Sequence, residues 1–303
     1  MAEVPTRCGY VAILGAPNAG KSTLVNALVG QKVSIVTPKV QTTRFRVLGI
    51  AMRGASQIVC VDTPGIFAPK RRLDRAMVRA AWQGSADADL RVLVVDADAF
   101  AGGKDAAPVA IAAELARGGA PAILALNKVD AVEKNALLTA AAALNGTGIF
   151  TDIFMISALT GDGVGDLAAH LAARVPEGPW LYPEDQTADM PLRLLAAELT
   201  REQLFMRLRQ EVPYALTVET EEWTEREDGS ARVEQVVYVQ REGQKPIVIG
   251  EGGRQIKAVG AAARVEMERL LGRRVHLFLS VKVRENWADD PRRYRDLGLE
   301  FDA

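Results

Sequence analysis

The octapeptide Gly-Ala-Pro-Asn-Ala-Gly-Lys-Ser, Gly15–Ser22, constrains this chain more than any other stretch. It follows the apolar run "YVAIL" and opens a segment whose apolar residues recur at helical spacing. Gly-x-x-x-x-Gly-Lys-Ser in a strand-to-helix setting is the pattern of a phosphate-binding loop. Its glycines let the backbone curl until successive amides converge on an anion, and the helix N-terminus adds positive partial charge. Gly15, Ala16, Pro17, Asn18, Ala19 and Gly20 are therefore expected to wrap phosphate oxygens. Lys21 is expected to reach the β- and γ-phosphates, and the Ser22 hydroxyl suits Mg²⁺.

The surroundings agree with such a loop. Residues 8–175 alternate continuous apolar runs ("YVAILG", "IVCVDT", "LRVLVVDA", "PAILALNK", "FTDIFMIS") with amphipathic segments. Strands apolar on both faces belong to a parallel sheet covered by helices, so this half reads as an α/β domain. The helical segments are expected near Lys21–Val29, Arg72–Ser85, Asp105–Arg117, Val132–Leu144 and Val164–Arg174.

Three more motifs close three of those strands. "DTPG", Asp62–Gly65, comes forty residues after the loop. Asp62 suits the magnesium shell, and the stretch Thr63, Pro64, Gly65 and Ile66 is expected at the γ-phosphate. "NKVD" contains Asn127, Lys128 and Asp130. The Asp130 carboxylate can accept from guanine N1 and N2 together, whereas adenine would leave it unpaired; such polar complementarity discriminates by about 10⁴ or more. Asn127 is expected to brace the loops and Lys128 to cover the base. "SAL", Ser157, Ala158 and Leu159, offers amides to guanine O6. Four ordered motifs at four strand ends point to GTP and GDP.

Between the phosphate loop and "DTPG" lies "VTPKVQTTRFR", Val36–Arg46. With Gln41 it carries Thr42 and Thr43, either able to complete a magnesium shell when the third phosphate is present; Thr43 is the favoured one. A loop that senses that phosphate is an order–disorder switch. Where many such enzymes place a water-orienting glutamine after the Asp-x-x-Gly glycine, this chain has Ile66. Unassisted hydrolysis is then expected to be slow, on the order of 10⁻² s⁻¹ or below. Asn18 is a candidate for helping to bind a monovalent cation, K⁺, beside the phosphates.

The α/β rhythm stops at "VPEGPWLYPEDQTADMP", which holds Pro176, Pro179, Pro183 and Pro191. Proline at that density blocks helix and ladder alike, so 176–191 reads as a linker between a first domain, 1–175, and a second, 192–303. The second reads as helix Leu192–Gln210, strands near Tyr214–Thr220 and Arg232–Arg241, a helix to about Leu271 and a strand Val275–Arg284, an α+β order. Before its second helix stands "IVIGEGGRQIKAVG", expected as strand, Gly-x-x-Gly turn and helix.

The net charge of −1 conceals opposite patches. Residues 219–234 hold seven acids and two arginines, whereas 241–284 hold ten Lys/Arg and four Glu. The basic segment centres on Gly250, Glu251, Gly252 and Gly253. That is a phosphate-backbone footprint, and a glycine turn at a helix N-terminus can clamp about four nucleotides of single strand. Lys245, Arg254 and Lys257 would supply charge; Ile249, Ile256 and Val259 would supply an apolar floor. Glu251 sets a negative charge inside the turn. Cys8 and Cys60 read as buried thiols, and His170 and His276 as structural. No signal pattern and no apolar run long enough for a bilayer is apparent, so a cytoplasmic location is the expectation.

Nearly end to end, the chain resembles the Era family of bacterial GTPases. The resemblance rests on "GAPNAGKS", "QTTR", "DTPG", "NKVD" and "SAL", then on "IVIGEGGRQIKAVG" and "VKVRENWADD". It implies a Ras-like P-loop GTPase domain followed by an α+β KH domain of type II. It also implies binding of the 3′ end of small-subunit ribosomal RNA, favoured with GTP, and a role in maturing the 30S subunit. The family lacks the catalytic glutamine, consistent with Ile66, and its members associate in part with the inner membrane surface. A monomer is expected. Rival readings are an RNA-binding module with GTP as a structural ligand only, and a GTPase whose basic segment meets anionic lipid.

Overall fold

The computed structural model describes residues 5–303. They divide into two compact units. The first takes the chain up to Ser34, Thr43–Asp189 and Tyr294–Ala303; the second takes Ile35–Thr42 and Met190–Arg293.

The first unit is built on β1 (Arg7–Leu14), α1 (Lys21–Val29), β2 (Val47–Arg53), β3 (Ser56–Asp62), α2 (Arg72–Ala86) and β4 (Leu90–Asp96). It continues with α3 (Ala97–Ala101), α4 (Ala107–Arg117), β5 (Ala122–Asn127), α5 (Lys134–Asn145), β6 (Phe150–Met155) and α6 (Val164–Arg174). The six strands form one sheet in the order β2-β3-β1-β4-β5-β6. β1 pairs in parallel with β3 on one side and β4 on the other, so the strand order reverses at β1. In open α/β sheets ligands bind beyond the carboxyl ends of strands at such a reversal. The phosphate loop is the segment that leaves β1 there.

Alternate residues of the parallel strands feed two cores. Val11, Ile13, Ile58, Cys60, Val92 and Val94 pack toward α1 and α6, and Ala12, Leu14, Leu93, Val95, Leu124 and Leu126 pack on the opposite face. Each fully buried Val, Leu or Ile side chain contributes about 1.5–3 kcal/mol of transfer free energy. Cys60 is buried, which pushes its thiol up to about 12; Cys8 is only half-buried. The short helix α3 was not expected, and two strands depart from the sequence reading. β2, antiparallel to β3, comes from the apolar run "VLGIAM", which is not among the strands expected from the sequence. β6 is an edge strand with no fully buried residue, not a strand covered on both faces.

The proline-rich stretch lies along this unit's edge. Gln57 Oε1 accepts from the amides of Leu181 (2.9 Å) and Tyr182 (3.0 Å), Trp180 Nε1 donates to Ala55 O at 3.0 Å, and Ala188 bridges Gly49. These bonds satisfy backbone groups that proline leaves without a ladder. The unit also includes the C-terminal tail, whose Tyr294 and Leu299 pack on Ala76, Met77 and Ala80 of α2. Glu300 pairs with Arg79 at 2.9 Å and accepts from Gln83 at 2.7 Å.

The second unit comprises α7 (Leu192–Arg207), β7 (Leu216–Glu225), β8 (Ala231–Val239), α8 (Lys245–Ile249), α9 (Arg254–Leu271), β9 (Val275–Val283) and the start of α10 (Pro291–Asp296). Its sheet runs β7-β8-β9, with β7 antiparallel and β9 parallel to β8. A parallel pair needs a crossover, and α8, the glycine turn and α9 supply it. The stretch "PIVI" is thus helical rather than extended. Its short apolar run does not distinguish strand from helix, and the crossover placed it. Val248 and Val259 are fully buried with Leu216, Val237 and Val239. The other sheet face is covered near Tyr238 by the Arg284 guanidinium, 3.9 Å from the ring centroid.

Residues Ile35–Thr42 fold with α7. Ile35 packs with Ala196 and Leu199. Glu202 accepts from Val36 N at 2.9 Å, Lys39 Nζ donates to Phe205 O at 2.5 Å, and Arg201 Nη2 donates to Thr42 O at 2.5 Å. Arg201 is fully buried and paired with Glu198.

Candidate guanine-nucleotide and RNA sites

The phosphate loop is closed on itself. Gly20 has φ 94, and a Cβ there would stand 2.2 Å from Asn127 Nδ2, so only glycine fits. Asn18 also holds a left-handed backbone, φ 64. Asn127 Nδ2 donates to Ala19 O at 2.8 Å, and Asn127 Oδ1 accepts from Ala158 N at 2.9 Å. One amide side chain therefore joins the loops after β1, β5 and β6.

Lys21 is buried and its Nζ donates to Gly15 O (3.1 Å) and Ala16 O (2.9 Å). Burial lowers its pKa to about 8, against the opposing pull of Asp62. Asp62 is also fully buried, which raises its carboxyl pKa, while hydroxyl donors and Lys21 act in the other direction. Asp62 Oδ2 accepts from Ser22 Oγ and Ser34 Oγ, each at 2.6 Å, and from Thr43 Oγ1 at 3.4 Å. Ser22 Oγ and Thr43 Oγ1 are 2.9 Å apart. Asp62 Oδ1 is buried and makes no hydrogen bond. A carboxylate with an unspent oxygen beside two hydroxyls is a hard oxygen set of the kind Mg²⁺ takes.

Of the two threonines left open by the sequence, Thr43 is the one beside Ser22 and Asp62. Thr42 turns instead to Thr37 Oγ1 (2.6 Å) and Lys39 O (2.8 Å), after Gln41 at φ 57. Ser34, unmarked by any motif, reaches Asp62 because Asn26 Oδ1 accepts from Val33 N and Ser34 N, each at 2.9 Å.

After β3, Thr63 Oγ1 donates to Ile13 O at 2.7 Å, Pro64 and Gly65 are buried, and Ile66 N donates to Gly15 O at 3.0 Å. The Ile66 side chain joins the hydrophobic core, so it presents no polar group to a water. After β5, Lys128 adopts φ 67 and Asp130 is exposed. Of the three amides expected to face a base oxygen, Ser157's donates to Asp162 O and Ala158's to Asn127 Oδ1, both at 2.9 Å; Leu159's is left. The Leu159 side chain is exposed.

In the second unit, Gly250, Gly252 and Gly253 have φ of 72, 58 and 76. Gly250 combines φ 72 with ψ 168, and a Cβ would meet Gln255 Cβ at 2.6 Å. Lys245 and Ile249 lie on α8 before the turn; Arg254, Ile256 and Lys257 lie on α9 after it. Lys257 is exposed, whereas Arg254 is tied to Glu251 by an ion pair across the turn. Val259 is buried in the core and cannot line a floor. Ile247, which opens the stretch "IVIGEGGRQIKAVG" but was expected to make no RNA contact of its own, is half exposed on α8.

A mostly parallel sheet with a Lys-Ser phosphate loop, an Asp62–Ser22–Thr43 oxygen cluster and an Asn-Lys-x-Asp turn defines a P-loop GTPase, here joined to a KH domain. Residues 10–128 match the 50S ribosome-binding GTPase family model, and residues 211–288 match the KH domain model. The chain is 59% identical to GTPase Era of Rhizobium meliloti (strain 1021), over 98% of this chain and 94% of the relative. It is 58% identical to GTPase Era of Brucella melitensis biotype 1, again over 98% and 94%. A solved structure of an Aquifex aeolicus Era variant bound to GDP·AlF4⁻ superposes with TM-score 0.90 at 38% identity, covering 97% of this chain and 99% of that one. Era in complex with MgGDPNP and nucleotides 1506–1542 of 16S ribosomal RNA gives the same values. The chain belongs to the Era family of GTPases.

Proposed function

We propose that this GTPase couples its nucleotide state to binding of the 3′ region of small-subunit ribosomal RNA, and so acts in assembly of the 30S subunit. The observation that carries the RNA half is the turn Gly250–Gly253. It opens the 18-residue helix α9, and a Cβ on Gly252 or Gly253 would meet nothing within 4 Å. A sugar–phosphate backbone can therefore approach the main chain, with Lys245 and Lys257 as counter-charges. The relative bound to nucleotides of 16S ribosomal RNA supports the same ligand for this chain.

On the nucleotide side, Gly15–Lys21 and Thr63–Ile66 would receive the phosphates, and Asp130 with the Leu159 amide would read guanine. Asn127 and Ala158 would brace that pocket. Ser22, Thr43 and Asp62 would hold Mg²⁺, which when bound offsets phosphate charge in the transition state. Thr43 directly follows Ile35–Thr42, so the order–disorder switch expected of that loop is where the nucleotide state would be sensed. A K⁺ ion near Asn18 is a further part of this proposal.

Among the described residues no helix is long and apolar enough to cross a membrane, so association with the inner membrane would be peripheral. A monomer suffices for all these roles. The test is binding of a labelled 3′-end RNA fragment with a non-hydrolysable GTP analogue and with GDP. Tighter binding with the analogue is expected. Equal binding would leave GTP as a structural ligand. Retention of anionic liposomes with loss of RNA in Gly252→Asp and Gly253→Asp would separate the two uses of that surface, leaving RNA to the turn and lipid to the basic residues outside it.

A further inference from the structure

Asp96 belongs to none of the motifs that mark the nucleotide site. It ends β4 in the apolar run "VLVVD", and the parallel register sets it opposite Asn127 of β5. Its Oδ2 lies 2.5 Å from Lys128 Nζ. Its Oδ1 accepts from Ala99 N at 3.1 Å and caps α3, so the carboxylate cannot swing away without uncapping that helix. The Asp96 side chain is 15% exposed and that of Lys128 is 39% exposed, which places the pair at the rim of the site.

We propose that Asp96 is a positioning residue for guanine-nucleotide binding: it holds the Lys128 side chain extended along the base pocket before nucleotide arrives. The proposal rests on the guanine-site reading given above. A lysine side chain has four flexible carbons and loses much rotamer freedom when it is laid against a ligand. Pinning the ammonium to an oriented carboxylate moves that loss from binding to folding, which is preorganisation. Lys128 is already committed at its other end. Its backbone is left-handed at φ 67, Val129 N donates to Ile156 O at 3.2 Å, and Ala131 N donates to Lys128 O at 3.0 Å. With both ends fixed, the aliphatic stem is a preformed wall beside Asp130.

Because the wall meets the base and not the phosphates, it binds GDP and GTP alike. Its loss should raise KM and speed nucleotide release while leaving kcat at saturation unchanged.

Asp96→Asn separates the two jobs of this residue, since asparagine still caps α3 but carries no charge for Lys128. Lys128→Met approaches from the other end, keeping the stem and losing the tether. Measured by GDP dissociation and equilibrium titration, each single variant should bind about tenfold more weakly, as expected for loss of a charge-assisted bond. The double variant should be no weaker than either single one. Near wild-type affinity in both singles, or losses that multiply in the double, would overturn the tether. A fall in kcat without a rise in KM would overturn it too. Asp130→Asn serves as the separate control. If it binds GDP normally, the guanine-site reading fails and the tether with it. If it loses GDP while Asp96→Asn and Lys128→Met do not, only the tether fails.

Discussion

Raising the pH should weaken nucleotide binding through one buried amine. Lys21 Nζ is enclosed by its own loop and donates to Gly15 O and Ala16 O. Burial has lowered its pKa from 10.5 to about 8. Phosphate oxygens within hydrogen-bond reach favour the ammonium and return the pKa toward its ordinary value. The free protein thus has roughly nine-tenths of Lys21 charged at pH 7 and roughly a quarter at pH 8.5, while the complex stays fully charged. The Mg·GDP association constant should fall about fourfold over that interval, and binding at pH 8 should take up about half a proton. The nucleotide's own phosphates contribute little to this slope, because their second pKa is about 6. Calorimetric titration with GDP at pH 8, in two buffers of different ionisation enthalpy, measures the proton directly. Lys21→Met should bind weakly with no pH slope over the same range. A flat wild-type profile, or the same slope in Lys21→Met, would refute the argument. Folding is linked to the same group. The unfolded chain binds more protons than the native one between about pH 8 and 10.5, so stability rises with pH through that window. Below it the buried charge costs folding about 3 kcal/mol.

Other consequences follow from single contacts. Glu251→Lys removes the ion pair that occupies Arg254 and reverses a charge inside the glycine turn, so it should tighten RNA binding several-fold and steepen its salt dependence by about one to two ions per complex; weaker binding in a filter assay would move the clamp elsewhere. Gly250→Ala forces a Cβ into Gln255 at a backbone angle reserved for glycine, and should lower stability by about 1–3 kcal/mol in urea unfolding. Thr43→Ala should raise the Mg²⁺ concentration needed for GTP-analogue binding more than for GDP, whereas Thr42→Ala should not, as read by magnesium titration. Replacing K⁺ by Na⁺ should slow GTP turnover in phosphate-release assays; equal rates would remove the cation assigned to Asn18.

The nucleotide site was legible in the sequence because its parts are short, contiguous and set at strand ends. Each of Gly15–Ser22, Asp62–Gly65 and Asn127–Asp130 carries its chemistry in four to eight neighbouring residues. The apolar runs of β1, β3, β4 and β5 announced a parallel sheet because strands covered on both faces cannot alternate. What tertiary structure alone decided are contacts between residues far apart in the chain. Thr42 and Thr43 are chemically alike, and only the direction in which each side chain leaves the backbone sends one to Asp62 and the other to Thr37. Ser34 and Asp96 carry no motif; they matter because Asn26 bends the chain toward Asp62 and because β4 lies beside β5. The helix of "PIVI" was set by the crossover between parallel strands, not by a four-residue apolar run. Likewise, no local pattern says that Ile35–Thr42 folds with α7 or that the last ten residues pack on α2. Local periodicity records which face of a segment is apolar, whereas the partner that covers the face is chosen only when distant segments meet.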